Sequence, residues 1–295
     1  MIFAAIDIGS NAMRLLFCRV YEVTGKPHFV KEELIRMPIR LGEDVFVKGK
    51  ISDQKAERLF TSLRGFNELI KAYGVTSYRA VATSAMRDAS NGEEIISKAR
   101  KELGLNVEII DGKAEASLVF SNHIEELLNP KYAYLYIDVG GGSTELTLYF
   151  NQKVIAARSF NIGTVRMLFD KDEKEEWEEM KAWLKRSTVG IHPLNAIGSG
   201  GNINKIFKMA NKKETKHLSY DKLKGQYEML NSYTYEERIE RLGLKPDRAD
   251  VIVPAAKIFL TVMKTADIDK IYVPQIGLSD GIVHELYNAH KAKAK

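Results

Sequence analysis

Cysteine is nearly absent: the 295-residue chain has one, Cys18, so neither an intramolecular disulfide nor a cysteine-based metal site can be built. Cys18 lies in an apolar run, which predicts a buried, inert thiol. Proline is also scarce, at 7 residues, while 45% of the chain is hydrophobic and 28% charged, which excludes a disordered or low-complexity protein. Neither sign of charge dominates. Lys and Arg number 44 against 39 Asp and Glu, a balance of +5 that permits an anionic ligand without requiring one. With no basic stripe and no aromatic platform, a nucleic-acid partner is not expected. The compact basic cluster Lys291, Lys293, Lys295 reads as a solvated tail. The start, MIFAAIDIGS, has no positively charged leader and meets an aspartate at position 7, fitting neither a signal peptide nor a spanning helix. A cytoplasmic protein without a membrane partner is expected. The six histidines show no zinc spacing.

What is present is an alternation of short apolar runs and helical periodicities, in a chain long enough for two domains. Residues 2–6 and 13–20 read as strands joined by Asp7-Ile-Gly-Ser-Asn11, and residues 35–41 as a third strand. Ser52 is a plausible N-cap for a helix whose apolar positions run from Ala56 to Tyr73 and which Gly74 ends. A strand at 78–82, a helix at 93–103, a strand at 107–110 and a helix at 113–128 follow, giving a mixed sheet with helices packed on it. Asn129-Pro130 breaks the chain, and at Tyr134 the opening pattern returns. Asp7-Ile-Gly9 and Asp138-Val-Gly140 lie 131 residues apart, each between an apolar run and a strand-like run, which points to a duplicated domain. Residues 170–180, charge-rich with Trp177 and Trp183 nearby, predict an exposed helix with one buried face. Residues 195–198 end a strand in Gly198-Ser-Gly-Gly201, and a helix begins at Asn202, an arrangement that suits phosphate through free N–H groups and the helix dipole.

The run of three glycines, Gly140, Gly141 and Gly142, calls for a tight turn or for a ligand close to backbone. Taken singly, each Asp-x-Gly turn is explained by a hairpin. Taken as a pair, they aim N–H groups and the side chains of Ser10, Asn11, Ser143 and Thr144 at phosphate oxygens. Asp7 and Asp138 would repel those oxygens unless a hard divalent cation such as Mg²⁺ lay between them.

Several stretches occur in the order and spacing of one family. They are Asp7-Ile-Gly-Ser-Asn11 followed by Arg14, Ala82-Thr-Ser-Ala-Met-Arg87, Ile110-Asp-Gly-Lys-Ala-Glu-Ala116, Asp138-Val-Gly-Gly-Gly-Ser-Thr-Glu145, and Arg248 with Asp250. From residue 2 to about 288 the chain resembles the exopolyphosphatase and guanosine pentaphosphate phosphohydrolase family, within the actin-like ATPase superfamily. The resemblance implies two ribonuclease-H-like α/β domains, each a mixed five-stranded sheet flanked by helices, at 1–126 and 127–279. It also implies a C-terminal helix from about 280 that packs back on the first domain, and an active site in the cleft between the domains. The expected form is the short, two-domain one, with a homodimer as a family-based expectation. The implied reaction is Mg²⁺-assisted hydrolysis of the terminal phosphoanhydride of polyphosphate or of guanosine pentaphosphate. Glu115 is the implied catalytic base, in the first turn of a helix whose dipole favours the carboxylate. Asp138 is the first choice for the metal, with Asp7 and Glu145 in support. Gly9, Ser10, Asn11, Arg87, Gly140, Gly141, Gly142, Ser143, Thr144, Gly200 and Gly201 are the phosphate-binding candidates.

Departures from the family pattern are Ala12 for a hydroxyl residue, Asp111 for a serine, Ala114 for an acid, and Asn202 for a threonine. Gly277-Leu-Ser-Asp-Gly281 also stands where the family has Gly-Leu-Arg-Glu-Gly. They leave two other readings open: an ATP-dependent phosphotransferase of the same superfamily, and a polyphosphate or alarmone sensor without turnover.

Overall fold

A strand whose neighbours cover both faces can be apolar throughout, and the first run of this chain shows it: Phe3 to Ile8 are buried apart from a trace. The computed structural model describes residues 1–23, 25–120, 129, 132–151, 153–210 and 217–293. The chain divides into two compact units, Met1–Asn122 with Gly277–Lys295, and His123–Ile276. The boundary expected after residue 126, the C-terminal part of the helix expected at 113–128, Pro130 and Lys295 lie outside the described residues.

In the first unit β1 (Ile2–Ile8), β2 (Met13–Val23) and β3 (Lys26–Met37) form an antiparallel meander. Then come α1 (Leu41–Lys48), α2 (Asp53–Tyr73), β4 (Ser77–Ala82), α3 (Ser84–Asp88), α4 (Gly92–Leu103), β5 (Val107–Ile109) and α5 (Gly112–Phe120). The five-stranded sheet has the order β3-β2-β1-β4-β5, with β1, β4 and β5 parallel. Ser52 caps α2 by accepting from the Lys55 N–H, and Gly74 ends it in the left-handed region at φ 56°. Leu59, Phe60, Leu63, Phe66 and Ile70 are its buried stripe, each worth about 1.5–3 kcal/mol against exposure.

The second unit holds β6 (Ala133–Val139), β7 (Thr144–Phe150), β8 (Lys153–Phe160), α6 (Thr164–Leu168), α7 (Lys174–Ser187), β9 (Leu194–Ser199) and α8 (Gly201–Ala210). It continues through β10 (His217–Ser219), α9 (Tyr220–Ser232), α10 (Tyr235–Glu240), α11 (Pro246–Ala249), α12 (Ile252–Thr265) and β11 (Lys270–Tyr272). Its sheet runs β10-β11-β9-β6-β7-β8. Its core lies between the sheet and α12, whose Ile252, Ala255, Ala256, Phe259 and Met263 are fully buried. The last helix, α13 (Leu278–Lys293), belongs to the first unit, where it packs on β1, β2, β4 and α5.

The duplication is visible in the sheets: β3-β2-β1-β4-β5 and β8-β7-β6-β9-β11 have the same order and the same mix of directions. The second sheet has six strands against the five expected, because His217–Ser219 adds antiparallel to β11 as an edge. Three residues offer no periodicity to read. The third strand spans Lys26–Met37 where 35–41 was expected, and Leu41 opens a helix. As an edge strand it exposes Lys26, Pro27, His28 and Glu33, so most of it lacks an apolar signal. The helix expected over 170–180 begins at Lys174, buries Trp183, and has Trp177 Nε1 donating to Asp172 at 2.9 Å.

Cys18 is buried on β2, and burial, helped by Asp280, pushes its thiol up to about 11. The native protein is therefore expected to resist thiol-labelling reagents at pH 8 and to react once it is unfolded in guanidinium; rapid labelling of native protein would contradict that burial.

Candidate active site

Chain order in the first unit brings three turns to the C-terminal ends of the parallel strands β1, β4 and β5. Ligands of α/β sheets bind at such ends. After β1, the Asp7 turn closes with the Gly9 N–H donating to the Ala12 carbonyl at 3.1 Å. A Cβ on Gly9 would stand 3.2 Å from that same oxygen, so the turn is built around the missing side chain. Ser10 is buried, and its Oγ accepts from the Ala85 N–H at 3.2 Å, tying the turn to α3. The carbonyls of Ser10 and Asn11 accept from Gly42 and Arg40 at the head of α1, at 2.8 and 3.0 Å. Asp7 is 3% exposed and accepts from Arg14 at 2.8 Å. Burial pushes its carboxyl above the usual range, against the charge and hydrogen bond of Arg14.

After β4, Arg87 sits on α3 with its guanidinium donating to the Ile110 carbonyl at 2.8 Å, directly before the turn into α5. Asp111 begins that turn. Its Oδ1 accepts from the Ala114 N–H at 2.7 Å and its carbonyl from the Glu115 N–H at 2.9 Å. The departure from the family serine thus leaves the helix start with a side-chain cap, a position where aspartate and serine serve alike. Glu115 lies in the first turn of α5 and is 8% exposed. Asp7, Ser10, Arg87 and Glu115 are thereby linked through α3 and the Ile110 turn.

The second unit repeats the closing bond of the first turn: the Gly140 N–H donates to the Ser143 carbonyl at 2.9 Å. One position differs in charge. Asp7 is paired across the strands with Arg14, and Asp138 with Glu145. Asp7 is therefore balanced by a cation on the neighbouring strand, whereas Asp138 faces another carboxylate, an arrangement that opposed like charges disfavour. Glu145 is 3% exposed and accepts from Ser159 Oγ at 2.7 Å. Gly200, at φ 108°, adopts a conformation open to glycine, and a Cβ there would meet Asp138 Oδ1 at 3.5 Å. Asp138, Glu145 and the Gly200-Gly201 turn at the start of α8 therefore share one end of the sheet.

Two facing carboxylates beside a glycine turn fit a Mg²⁺ that takes its remaining ligands from water and phosphate. Among the described residues no group of three or more His, Cys, Asp or Glu could hold a metal by itself. Asp7, expected to help, already carries Arg14.

Several contributors are not visible in sequence. The carbonyls of Gly140 and Gly141 accept from the N–H groups of Thr164 and Val165 at 3.0 and 2.8 Å, and the Gly142 carbonyl from Arg166 Nε at 2.6 Å. In a trans peptide the N–H points opposite to the C=O, so the amides of Gly141, Gly142 and Ser143 all point away from α6. That is a row of three donors, the arrangement that binds anions. Residues 161–166 give no signal for this in the sequence. Thr144, expected to bind phosphate, is fully buried and donates its hydroxyl to the Ile162 carbonyl at 2.6 Å. That proton belongs to the fold. Asn204 Oδ1, on the first turn of α8, and Ser84 Oγ are buried with no partner among the described residues.

The sequence model of the Ppx/GppA phosphatase family matches residues 20–290. The chain is 25% identical over 97% of its length to a guanosine-5'-triphosphate,3'-diphosphate pyrophosphatase of Photobacterium profundum, of which it spans 59%. It is 24% identical over 96% of its length to exopolyphosphatase 1 of Mycobacterium bovis, spanning 87% of that protein. In structure it is similar to an exopolyphosphatase from Cytophaga hutchinsonii, with a TM-score of 0.83 at 24% identity and 98% of both chains covered. A family member from Aquifex aeolicus superposes with a TM-score of 0.75 at 26% identity, again over 98% of both chains. No helix among the described residues is long and apolar enough to cross a membrane. Matched to the family over residues 20–290 and similar in structure to a solved member, the chain belongs to the Ppx/GppA phosphatase family.

Proposed function

We propose that this protein hydrolyses the terminal phosphoanhydride of inorganic polyphosphate or of guanosine pentaphosphate, with Glu115 as the general base. The observation that carries the reading is the setting of Glu115, a buried carboxylate in the first turn of a capped helix. There the dipole favours the anion, and Arg87 is tied to the same turn.

In this reading Glu115 orients a water and takes its proton as the oxygen attacks the terminal phosphorus. Arg87 presents a planar fork to two phosphate oxygens. In the first unit the Gly9 amide with the Ser10 and Asn11 side chains, and in the second the amides of Gly141, Gly142 and Ser143 with the Ser143 side chain, are the donors suited to phosphate oxygens. Gly200 and Gly201 open α8 so that its first amides serve the same end. Thr144 holds the turn in shape. Asp138 and Glu145 would hold Mg²⁺, which supplies charge neutralisation at the phosphate oxygens. Positioning and electrostatics suffice for phosphoryl transfer, and no covalent nucleophile is needed.

The test is phosphate release from polyphosphate and from guanosine pentaphosphate, with and without Mg²⁺, beside a phosphotransfer assay with ATP and small acceptors. Mg²⁺-dependent release from either substrate supports the proposal. Phosphate found on an acceptor, or tight binding without release, would replace it with a kinase or a sensor. Within the same assay Arg87→Ala is expected to lower kcat/KM about 10²-fold, the cost of removing one partner of a desolvated charge pair. Arg87→Lys is expected to recover part of that loss, because the charge stays and the fork goes.

A further inference from the structure

Three glycines outside the phosphate turns stand hard against main chain of elements that carry site residues. A Cβ on Gly92, at the start of α4, would lie 2.2 Å from the Met86 carbonyl oxygen, one residue before Arg87. On Gly163 it would lie 2.4 Å from the Gly141 carbonyl oxygen. On Gly281 of α13 it would lie 1.6 Å from the Leu118 carbonyl oxygen and 2.5 Å from its carbonyl carbon. The last is the deepest overlap, and it falls on α5, three residues after Glu115. Non-bonded carbon atoms settle near 3.5–4.0 Å, and main-chain atoms have no alternative rotamer, so one helix must move.

α13 is tied to the sheet along its length. Near its start Asp280 accepts from the Gly277 N–H at 2.9 Å and pairs with Lys31 at 2.7 Å. Further on, Glu285 pairs with Arg79 at 2.7 Å and His284 stacks on Phe29 with ring centroids 3.8 Å apart. Near the end Tyr287 Oη donates to Glu22 at 3.1 Å. The start of α5 is fixed by Asp111. An atom inserted at Gly281 therefore forces α13 and α5 apart at Leu118, one turn from Glu115.

We infer that Gly281 is a positioning residue: by letting the backbone of α13 rest directly on that of α5, it sets the place of the Glu115 carboxylate. The inference rests on the reading of Glu115 as the base. It also gives a physical reason for glycine at the end of the Gly277-Leu-Ser-Asp-Gly281 stretch. A misplacement on the order of 1 Å can cost about 10²-fold in rate, while Arg87 and the Asp7 turn lie on other elements.

The test is steady-state hydrolysis of polyphosphate by the full chain carrying Gly281→Ala, Glu115→Asp, both together, or Tyr287→Phe. Gly281→Ala is expected to lower kcat about 10²-fold with KM within about threefold of wild type. The double variant is expected to be little slower than the slower single one, because both changes act on one carboxylate. Tyr287→Phe, which loses a hydrogen bond at the far end of α13, is expected to keep kcat. Wild-type kcat in Gly281→Ala, or losses that multiply fully in the double variant, would overturn the role of Gly281. If Gly281→Ala does not fold, Asp280→Asn weakens the Lys31 pair at the same end of α13 without inserting an atom. It should then lower kcat measurably and non-additively with Glu115→Asp, and an unchanged kcat overturns the role. Full activity in Glu115→Asp removes the base itself, an outcome distinct from loss in Glu115→Asp beside wild-type kcat in Gly281→Ala.

Discussion

Glu115→Gln is expected to lower phosphate release by about 10²–10⁴-fold, the usual contribution of a positioned general base. KM should stay within about threefold, because the amide keeps the size and one acceptor oxygen of the carboxylate but cannot take a proton. The change should also leave the fold intact. The Glu115 N–H donates to the Asp111 carbonyl and the cap is made by Asp111 Oδ1, so the start of α5 is capped without the Glu115 carboxylate. Thermal unfolding and kinetics on the same preparation check both halves of the statement. A loss of activity that tracked a lower Tm, or a rise in KM with kcat retained, would make Glu115 a structural or binding residue.

The second large effect concerns the facing pair Asp138 and Glu145. Asp138→Asn is expected to cost about 10²–10³-fold in kcat, the scale of losing one preorganised charge-stabilising group, and to move Mg²⁺ activation to higher concentration. The same change removes the repulsion of two opposed carboxylates, worth about 0.2–1 kcal/mol. Metal-free Asp138→Asn should therefore unfold at the wild-type temperature or about 1–3 °C above it. In wild type, added Mg²⁺ should raise the melting temperature, because a ligand that binds only the folded state stabilises it, and in Asp138→Asn that rise should vanish. A metal-free variant less stable than wild type would mean that the carboxylate supports the fold and not a cation. Asp7→Asn gives the contrast. Asp7 is paired with Arg14 at 2.8 Å, so the Mg²⁺ dependence of melting should survive that substitution.

Much of this arrangement could be read from the sequence where local signals and long-range pairing agree. The strands ending at Asp7 and Asp138 are buried on both faces, so their apolar runs announce them, and a Cβ on Gly9 or Gly140 would stand 3.2 or 3.1 Å from a carbonyl of the same turn. The spacing of 131 residues between the two turns is reproduced by equivalent hydrogen bonds and equivalent strand orders. What could not be read is whatever depends on partners distant in sequence. The edge strand β3 and the three-residue β10 carry almost no apolar pattern. The hydroxyl of Thr144 suits a phosphate on paper and is spent on Ile162 in the fold. That Arg14 and Glu145 occupy equivalent places, opposite Asp7 and Asp138, appears only when strand register is known. The same holds for α6, which accounts for the direction of three amides, and for Gly281, whose reason lies on another helix.

The measurement closest to the centre of the account is turnover of polyphosphate by the wild-type chain in water enriched in ¹⁸O, with the released phosphate read by mass spectrometry. If a water activated by Glu115 attacks the terminal phosphorus, each inorganic phosphate released carries one solvent oxygen, and Glu115→Gln slows the labelled product by the same factor as total release. Phosphate that appears on an acceptor without solvent label, or labelled phosphate formed by Glu115→Gln at the wild-type rate, would contradict it.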